Sequence, residues 1–408
     1  MMILQVSSTD LTGRRFNGRD LQILLSERGI RSQHCVWDKQ SDNPDTWQLF
    51  NFRGRRHLKA LVNRIESILS IQSVLQPFSL QFLVDGRFHA ADVVHYHLIH
   101  TGYFSLLSLP LLSRVKRTVW TLHDPWAMTG HCVYPFDCER WKIGCGQCPY
   151  LDTVFPMRRD HTALMYRLKK AAYHASKVDI VLGSHWMMDM AKQSPLLSKF
   201  RLHHIPFGID LQKFRPNDSE KAKRELGIHP GSFVICFRAG DSQFKGLTYI
   251  KTVLQQLELN QNICLLTFDG KGEMNEFIGK YQIIDLGWVN DVDLAVQAYN
   301  AADIFLMPST AEAFGMMAIE AMACGKPVIA FDDTSLPEVI FNPEGGISVP
   351  MGDTTALLSA LERLRDHPDE REKLGLRARV LAEHHYDIKH HVDKLVALYQ
   401  DIASNEVA

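Results

Sequence analysis

Short apolar, β-branched segments alternate with longer segments of helical spacing along this chain of 408 residues. The strand-like segments of the first half read MILQV, ADVVHYH, RTVWTLH and VDIVLGS, and those of the second half read FVICFRAG, ICLLTFDG, IIDLGWV, DIFLMPS and PVIAF. This alternation is typical of parallel sheets covered by helices. The pattern therefore predicts an α/β protein with two doubly wound, Rossmann-like domains that face each other across a cleft.

The segments between the strands carry apolar residues at helical spacing. In the first half these residues are Leu58, Leu61, Val62, Ile65, Ile68 and Leu69. In the second half, helices are expected at about 246–257, 293–300, 315–324 and 388–403. Pro206, Gly208 and Pro216 interrupt any regular element between the halves. We therefore expect domains at 1–205 and 206–385, and a C-terminal helix at 386–408 that packs back toward the first domain.

The composition is that of a soluble globular protein, with 46% hydrophobic and 22% charged residues and a formal net charge of −1. This balance gives no overall attraction to nucleic acid or to anionic lipid. The chain opens on MMILQVSSTD without a leader, and its longest apolar run, residues 103–112, is broken by Pro110. We therefore expect a cytoplasmic protein, in which disulfides are not the default for the eight cysteines.

The loop FRAGDSQFKG follows a predicted strand of the second half and carries two cations, Arg238 and Lys245. A forked guanidinium and an ammonium on one loop suit a diphosphate, and the glycines allow backbone N–H groups to approach its oxygens. In TFDGKGE, Gly270 predicts a second close approach of backbone to ligand. An ordinary solvated loop and a strand-to-helix turn remain the alternatives for these two segments.

The stretch STAEAFGMMAIEAMACGKPVIAF, residues 309–331, holds two carboxylates in an otherwise apolar segment. Glu312 lies in a loop, and the N–H groups of Phe314 and Gly315 lie at a helix start, where the dipole favours an anion. Glu320 lies about 7.5 Å further along the axis. Its carboxylate can accept two hydrogen bonds from the vicinal hydroxyls of a ribose. The alternative is a solvent-facing helix, for which this segment has little polar surface.

The segment Leu286–Ile340 resembles the retaining GT-B glycosyltransferases of family 4, also called group 1. It carries the family's E-x7-E signature at Glu312 and Glu320, a Pro-Ser pair before that loop, a Gly-x-Pro-Val strand and a following Pro-Glu. IPFGID at 205–210 is similar to the family's domain-linking IPNGID, so the resemblance covers most of the chain.

The resemblance implies roles for these residues. Glu312 faces the donor sugar, Glu320 the ribose, and Lys245 with Arg238 the diphosphate. The two cations are seven residues apart here, whereas the family usually spaces them more closely. In the front-face displacement proposed for the family, the leaving diphosphate accepts the proton of the acceptor, so neither a metal ion nor a protein nucleophile is expected.

The resemblance also implies that the first domain binds the acceptor. His123 of TLHD, at the end of a predicted strand, is then expected to contact the donor sugar. Gly13 and Gly18, in the first loop, are expected near the donor phosphates, although the family's Gly-Gly pair is absent. A satisfied core histidine and an ordinary strand-to-helix loop are the alternatives.

A cysteine-rich loop follows the His-Asp pair, at about 124–150. It contains half of the cysteines of the chain: Cys132, Cys138, Cys145 and Cys148. The last two have the spacing of a zinc knuckle, and four thiolates could enclose a structural Zn²⁺. Disulfides and unligated packing are the alternatives. A polysaccharide-assembly subset of the family carries a similar loop, which favours an ordered acceptor loop.

Basic residues gather beside two apolar segments of the first half. They are Arg53, Arg55, Arg56, Lys59 and Arg64 at the start of an amphipathic helix, and Arg114, Lys116 and Arg117 after the apolar run. A helix with a cationic rim is predicted to rest on anionic lipid, unless its face is simply solvated.

The sequence thus predicts a retaining, metal-independent hexosyltransferase in surface or exopolysaccharide assembly, at the inner face of the membrane. The expected donor is a nucleotide diphosphate sugar, and the expected acceptor is a glycan or an undecaprenyl-type lipid-linked glycan. A non-catalytic nucleotide-sugar or glycan-binding GT-B module and a sugar-nucleotide epimerase remain alternatives. A nicotinamide dehydrogenase is excluded, because no Gly-x-Gly-x-x-Gly follows the first strand.

Overall fold

The computed structural model describes residues 1–15, 17–240, 243–258 and 262–404, and the chain divides into two units. The first unit contains Met1–Ile205 together with the helical residues from His391 onward, and the second contains Pro206–His390. Each unit is built on a parallel sheet flanked by helices. The alternation of strand and helix in the sequence therefore predicted the fold class correctly.

The sheet of the first unit has the order β3-β2-β1-β4-β5-β6-β7. Its strands are β1 (Met2–Thr9), β2 (Arg31–Asp38), β3 (Thr46–Gln48), β4 (Val93–Tyr96), β5 (Arg117–Leu122), β6 (Asp179–Leu182) and β7 (Arg201–His204). All neighbouring pairs are parallel. The central strands are buried on both faces, which explains why their sequences are continuous apolar runs rather than alternating ones.

The helices of this unit connect successive strands. They are α1 (Arg19–Ser26), α2 (Arg55–Leu69), α3 (Gly86–Ala90), α4 (Leu109–Val115), α5 (Thr162–His174) and α6 (His185–Gln193). Short 3-10 turns precede α4 and follow β5. In the described part of the chain, no helix has the length and apolar character needed to cross a bilayer.

The sheet of the second unit has the order β10-β9-β8-β11-β12-β13, again with parallel pairs. Its elements, in chain order, are α7 (Ser219–Glu225), β8 (Phe233–Arg238), α8 (Leu247–Gln256), β9 (Ile263–Phe268), β10 (Gln282–Asp285), α9 (Val292–Ala301), β11 (Ile304–Met307), α10 (Met316–Ala323), β12 (Val328–Phe331), α11 (Leu336–Val339), β13 (Gly346–Val349), α12 (Thr354–Asp366) and α13 (Pro368–His385). The last helix, α14 (Ile388–Ser404), begins in this unit, and its residues from His391 onward belong to the first unit. Asp291 caps α9 by accepting the Asp293 N–H at 2.9 Å, which explains the Asp-x-Asp pair.

Most of α14 packs on the first unit. Arg28 pairs with Asp393 at 2.7 Å, Arg201 contacts Asp401 at 3.0 Å, and the Tyr399 hydroxyl is hydrogen-bonded to His95 Nδ1 at 2.6 Å. Tyr399 and His95 are both completely buried. Helix α14 ends at Ser404, residues 405–408 lie outside the described residues, and the domain bounds expected from the sequence stay a prediction.

Gly246 lets the loop after β8 press against the end of β11. It caps α8 with a φ of 74°, in the left-handed region, and a side chain there would place Cβ 1.9 Å from the Pro308 carbonyl oxygen. Gly227 has nearly the same φ, 72°, but nothing lies within 4 Å of its missing Cβ. A side chain at either position would be strained by the positive φ, but only at Gly246 would it also collide with a neighbour. Comparing the two positions therefore distinguishes the cost of backbone strain from the cost of the collision.

We predict that Gly246→Ala is much more destabilising than Gly227→Ala. The Gly227 variant should lose about 1 kcal/mol, because alanine is strained at positive φ. The Gly246 variant must in addition displace backbone, so we expect a loss of about 3 kcal/mol or more. Urea unfolding of both variants checks this. Equal losses in the free energy of unfolding of the two variants would show that the backbone at Gly246 does not pack tightly against the Pro308 carbonyl.

Buried histidines make the first unit sensitive to acid. Burial holds the pKa of His95 and His97 well below the ordinary value of histidine, and nearby histidines lower it further. The unfolded chain binds protons at these side chains below about pH 6.5, whereas the folded protein does not. Stability should therefore fall as the pH drops below that value, by up to about 1.4 kcal/mol per pH unit for each histidine.

The measurement is the thermal midpoint between about pH 7 and pH 5. His95→Asn should show a shallower dependence than the parent protein, whereas replacement of His57, which is exposed on α2, should leave the slope unchanged. An unchanged slope in His95→Asn would contradict the assignment.

Candidate functional site

The carboxyl ends of β8 and β11 bring two predicted site residues together. These strands are neighbours in the sheet, so the loops that follow them meet at one edge. Lys245 Nζ lies 2.6 Å from the Glu312 carboxylate, 67 positions along the chain. The side chains are 24% and 15% exposed, so the ion pair is partly shielded from water. The cation expected to bind phosphate is therefore balanced by the carboxylate expected to face the sugar.

Arg238 is paired on the other side of β8. Its guanidinium lies 3.1 Å from the carboxylate of Asp269, which follows β9, and 5.6 Å from the centre of the exposed Trp288 ring. Gly240 leaves the space that the Asp269 carboxylate occupies, since a Cβ there would lie 2.3 Å from it. Arg238 ends β8 and Lys245 lies just before α8, and each cation is paired with a carboxylate, Asp269 for Arg238 and Glu312 for Lys245.

Glu320 lies inside α10 and is only 2% exposed. One of its carboxylate oxygens accepts a hydrogen bond from the Tyr299 hydroxyl at 2.8 Å. Gly315 occupies the N-cap position of α10 with a φ of 98°, and Phe314 before it packs edge-on against Phe207. The helix is buried rather than solvent-facing, so the surface-helix alternative for this segment is wrong.

Three predicted glycines have structural partners. The Gly270 N–H donates to the Asp285 carboxylate at 3.0 Å. Gly18, with a φ of 94°, packs against the Gln5 side chain, whose Cβ would be 2.9 Å from a Cβ added at position 18. The Gly13 carbonyl accepts the Asn17 N–H at 3.1 Å. These contacts account for the glycines by turn geometry, and their contact with phosphate stays a prediction.

His123 follows β5 and meets a second histidine at the end of β4. Its Nε2 lies 3.3 Å from His97 Nδ1, and His97 Nε2 lies 2.9 Å from Gln5 Oε1 on β1. The three strands are consecutive in the sheet, so these side chains form a row along its edge. Burial lowers the pKa of His123 to about 4, although Asp124 opposes this. The ring is therefore neutral at pH 7.

Asp124 fixes the loop that follows His123. One carboxylate oxygen accepts the Trp126 N–H at 2.9 Å, and the other lies 3.2 Å from His100 Nε2. Burial raises the pKa of Asp124, but His100 and the Trp126 N–H lower it by more, so the net pKa is below the ordinary value. The ring of His100 in turn stacks on Trp126 at 4.8 Å. Asp124 therefore has a structural role in this loop, next to His123, which is predicted to contact the sugar.

Lys169, on α5, also binds the backbone of this loop. It is completely buried and donates to the carbonyls of Trp126 and Thr129 at 2.6 and 2.9 Å. Its ammonium also lies 3.4 Å from the centre of the Trp126 ring. Burial lowers the pKa of Lys169 to about 7, while nearby groups including Cys145 raise it. The start of the cysteine-rich loop is therefore held in one conformation.

The four cysteines of this loop do lie together, around one small cavity lined also by His131 and Trp141. Backbone N–H groups point at two of the sulfurs, from Gly130 to Cys145 at 3.2 Å and from Tyr150 to Cys148 at 3.4 Å. Burial raises the pKa of Cys132 to about 12 and that of Cys145 to about 11.

The zinc prediction for Cys132, Cys138, Cys145 and Cys148 stays a prediction. Among the described residues, no group of three or more His, Cys, Asp or Glu side chains is placed so that it could hold a metal ion. All four cysteines are free thiols, so the disulfide alternative is not realised either.

Several side chains at these two edges were not identified from the sequence. They are Asp269, Tyr299, Gln5, His97 and His100. For His97 the sequence did contain a signal, since His95 and His97 are two residues apart on one strand and must share a face of the sheet. Asp269 and Tyr299 gave no signal, because each is recognisable only by its partner on another element.

Sequence comparison places these loops in a known family segment. Residues 218–380, which include Arg238, Lys245, Glu312 and Glu320, match the family described as "Glycosyl transferases group 1". The chain is 26% identical over 268 residues to a protein of Escherichia coli (strain K12) that is named as a colanic acid biosynthesis glycosyl transferase, WcaC. That match covers 63% of this chain and 64% of the relative. The chain spans between 40% and 52% of the length of seven further curated relatives.

Structural comparison finds the same fold over the whole chain. Sucrose-phosphate synthase of Thermosynechococcus elongatus superposes with a TM-score of 0.69 at 18% identity, covering 98% of this chain and 99% of that chain. HepE of Anabaena, solved in complex with UDP, superposes with a TM-score of 0.64 at 16% identity, covering 98% of this chain and 100% of that chain. The chain therefore has the two Rossmann-like domains of GT-B glycosyltransferase structures, and its residues 218–380 match the group 1 family.

Proposed function

We propose that this protein is a retaining glycosyltransferase of family 4 that transfers a sugar from a nucleotide diphosphate sugar to a glycan or lipid-linked acceptor in polysaccharide assembly. The group 1 segment and the relative named for colanic acid biosynthesis support the activity and the setting. The neighbour solved with UDP supports a nucleotide donor. In this proposal the second unit binds the donor and the first binds the acceptor.

The observation that carries the proposal is the ion pair between Lys245 and Glu312. Its partly shielded position at adjacent strand ends supports a role for the cation in binding a diphosphate and for the carboxylate in binding sugar hydroxyls. A diphosphate carries more charge than Glu312 and would compete for the same ammonium. Glu312 is then released to accept hydrogen bonds from the sugar. One contact would thus couple binding of the phosphate to recognition of the sugar.

The transfer itself requires little covalent chemistry from the protein. The bond between the anomeric carbon and the phosphate oxygen breaks, and the acceptor oxygen forms its bond on the same face. The acceptor proton passes to the leaving phosphate oxygen, so a glycoside and a nucleoside diphosphate are the products. Lys245, Arg238 and the N–H groups of Phe314 and Gly315 stabilise the negative charge that develops on the diphosphate. These groups supply the positive charge, so we propose that no metal ion is needed.

We further propose that the first unit rests on anionic lipid through helix α2. Leu61, Ile65, Ile68 and Leu69 are between 39% and 55% exposed and follow one another at helical spacing. Exposed Arg53, Arg56 and Arg64 lie beside them. Arg55 does not belong to this basic rim, because it is buried and donates to the Trp37 carbonyl and the Asp38 carboxylate.

A hydrogen-bonded loop continues this surface. The buried Glu66 carboxylate of α2 accepts the N–H groups of Ser73, Val74 and Leu75. The same loop is bonded to Ser105 and Leu106, ahead of exposed Leu107 and Leu111. The apolar residues of both segments are therefore held on one connected framework, and the surrounding cations favour a negatively charged lipid surface over a protein partner.

We predict that one class of nucleotide sugar stabilises the protein and is turned over. Thermal midpoints with UDP-, GDP- and ADP-linked sugars identify the donor, since a ligand at about 100 times its Kd adds about 2.7 kcal/mol. Glu320→Ala should lose this stabilisation, whereas Glu344→Ala, at an exposed ion pair with Arg377, should keep it. Lys245→Met should lower kcat by about 10²- to 10³-fold. Activity should survive a chelator, and the product should keep the anomeric configuration of the donor.

The double variant Lys245→Met/Glu312→Gln controls for the unpaired carboxylate that Lys245→Met alone leaves behind. The competing outcomes are distinct. Stabilisation without turnover of any acceptor would favour the non-catalytic binding module. Conversion of the nucleotide sugar to its epimer without an acceptor would favour the epimerase. No stabilisation by any nucleotide sugar, in folded protein, would contradict the proposal.

We predict that Leu61→Ser/Ile65→Ser weakens binding to vesicles by about tenfold or more, because two apolar side chains are lost from the bilayer contact. The vesicles are equimolar phosphatidylcholine and phosphatidylglycerol, with phosphatidylcholine alone as the neutral comparison. The matched control is Leu376→Ser/Val380→Ser, on α13 of the second unit, at the same spacing and similar exposure. Equal binding of both variants, or no preference for the anionic vesicles, would contradict the proposal.

A further inference from the structure

Thr334, in the loop after β12, has a backbone conformation that threonine rarely adopts. Its φ is 80°, in the left-handed region, where Cβ is crowded against the backbone and a branched side chain makes the crowding worse. Its N–H donates to the side chain of Asp333 at 2.8 Å, which helps to hold this conformation. A glycine would adopt the same φ without strain. Strain of this kind is concentrated at functional sites, so the threonine side chain calls for an explanation.

The hydroxyl of Thr334 is buried and has no hydrogen-bond partner in the described part of the chain. The residue as a whole is partly exposed, but Oγ1 itself is shielded from solvent. Such a hydroxyl is unfavourable, because it has given up its hydrogen bonds with water and has none with the protein in return. Backbone strain and an unpartnered hydroxyl thus coincide at one residue, and no hydrogen bond of this side chain compensates for either.

The loop that carries Thr334 is bonded to the loop that carries Glu312. The N–H and the hydroxyl of Ser335 both donate to the Glu312 carbonyl, at 3.3 and 3.0 Å. Leu336 packs at the start of α10, where its Cδ2 would lie 2.8 Å from a Cβ added at Gly315. β12 is the neighbour of β11 in the sheet, so the two loops leave the sheet at the same edge. Thr334 is therefore one residue away from the contact that joins its loop to the predicted sugar-binding carboxylate.

We propose that Thr334 is a specificity-determining residue, whose hydroxyl binds a hydroxyl group of the donor sugar beside Glu312. This inference rests on the proposed function, because its ligand is the transferred sugar of a nucleotide sugar. An ionised carboxylate only accepts hydrogen bonds, whereas a hydroxyl group both donates and accepts. The two side chains therefore bind sugar hydroxyls in different ways. A sugar that lacks the hydroxyl facing Thr334 is disfavoured, since it leaves the buried Oγ1 without a partner.

The experiment compares three replacements of Thr334 in the full-length protein. Thr334→Val keeps the shape and removes the hydroxyl, Thr334→Ser keeps the hydroxyl, and Thr334→Gly removes the side chain together with the strain. For the nucleotide sugar that the parent protein uses, kcat/KM should fall about 5- to 10-fold in the valine and glycine variants, as for the loss of one hydrogen bond. The serine variant should largely restore it.

The thermal midpoint separates this role from a structural one. Thr334→Gly should unfold at the same temperature as the parent protein or at a higher one, because the relief of strain offsets the greater freedom of glycine in the unfolded chain. A residue kept for binding rather than for folding should show this combination of lower activity and undiminished stability.

Two further ligands show which part of the donor Thr334 binds. With deoxy analogues of the donor, each lacking one sugar hydroxyl, Thr334→Val should be less active than the parent protein for every analogue except one. For that analogue the two kcat/KM values should agree, because the partner of Thr334 is already missing. The Kd of the nucleoside diphosphate alone should be the same for both proteins, since this ligand has no transferred sugar.

Ser232→Ala is the matched control. Ser232 directly precedes β8, is 3% exposed and also has a buried hydroxyl without a partner among the described residues. It lies at the amino end of its strand, at the opposite edge of the sheet from Glu312. Its replacement should therefore leave kcat/KM unchanged.

Three results would overturn the inference: an unchanged kcat/KM in Thr334→Val, an equal loss of affinity for the nucleoside diphosphate alone, or a clearly lower thermal midpoint of Thr334→Gly. In each of these cases the parent protein still turns over its nucleotide sugar. Failure of the proposed function looks different, because the parent protein itself would then bind and turn over no nucleotide sugar, and the inference would fall with it.

Discussion

The close approach of Gly246 to the Pro308 carbonyl is the constraint on which the candidate donor site depends. β8 and β11 are adjacent parallel strands, so their loops must leave the sheet at the same edge. Only a residue without a side chain can occupy position 246 at this distance and at a positive φ. Lys245 precedes this glycine and Glu312 follows Pro308 by four residues. Their ion pair is therefore a consequence of backbone packing rather than of long-range attraction between two flexible side chains.

Charge balance explains how two cations are held at one edge of the sheet. Two cations aimed at one diphosphate would repel each other, and a partly buried cation without a partner is costly. Here Asp269 balances Arg238 and Glu312 balances Lys245. In the proposed function the two pairs would keep the cations in place, and a diphosphate would displace a carboxylate to bind Lys245. Such a site would give up some affinity and gain selectivity for ligands that both compete for the ammonium and offer hydroxyls to Glu312.

The fold was readable from the sequence because both sheets are parallel and buried on both faces, which produces continuous apolar strands between helices. The position of the E-x7-E segment was readable for the same reason, since a strand, a loop and a buried helix follow one another there. The partners were not readable. Tyr299 reaches Glu320 from α9, and Asp269 reaches Arg238 from β9, and such contacts depend on strand order rather than on spacing.

The side chains at the strand ends of the two sheets also differ in burial, and this difference determines whether they form ion pairs or neutral hydrogen bonds. In the second unit the side chains at the strand ends stay partly exposed, and the sequence supplies ion pairs there. In the first unit the corresponding edge is closed over, and charged histidines would be costly. Gln5, His95, His97 and His123 accordingly form neutral hydrogen-bonded pairs. A neutral network cannot attract a phosphate by charge, but it can fix where each proton lies.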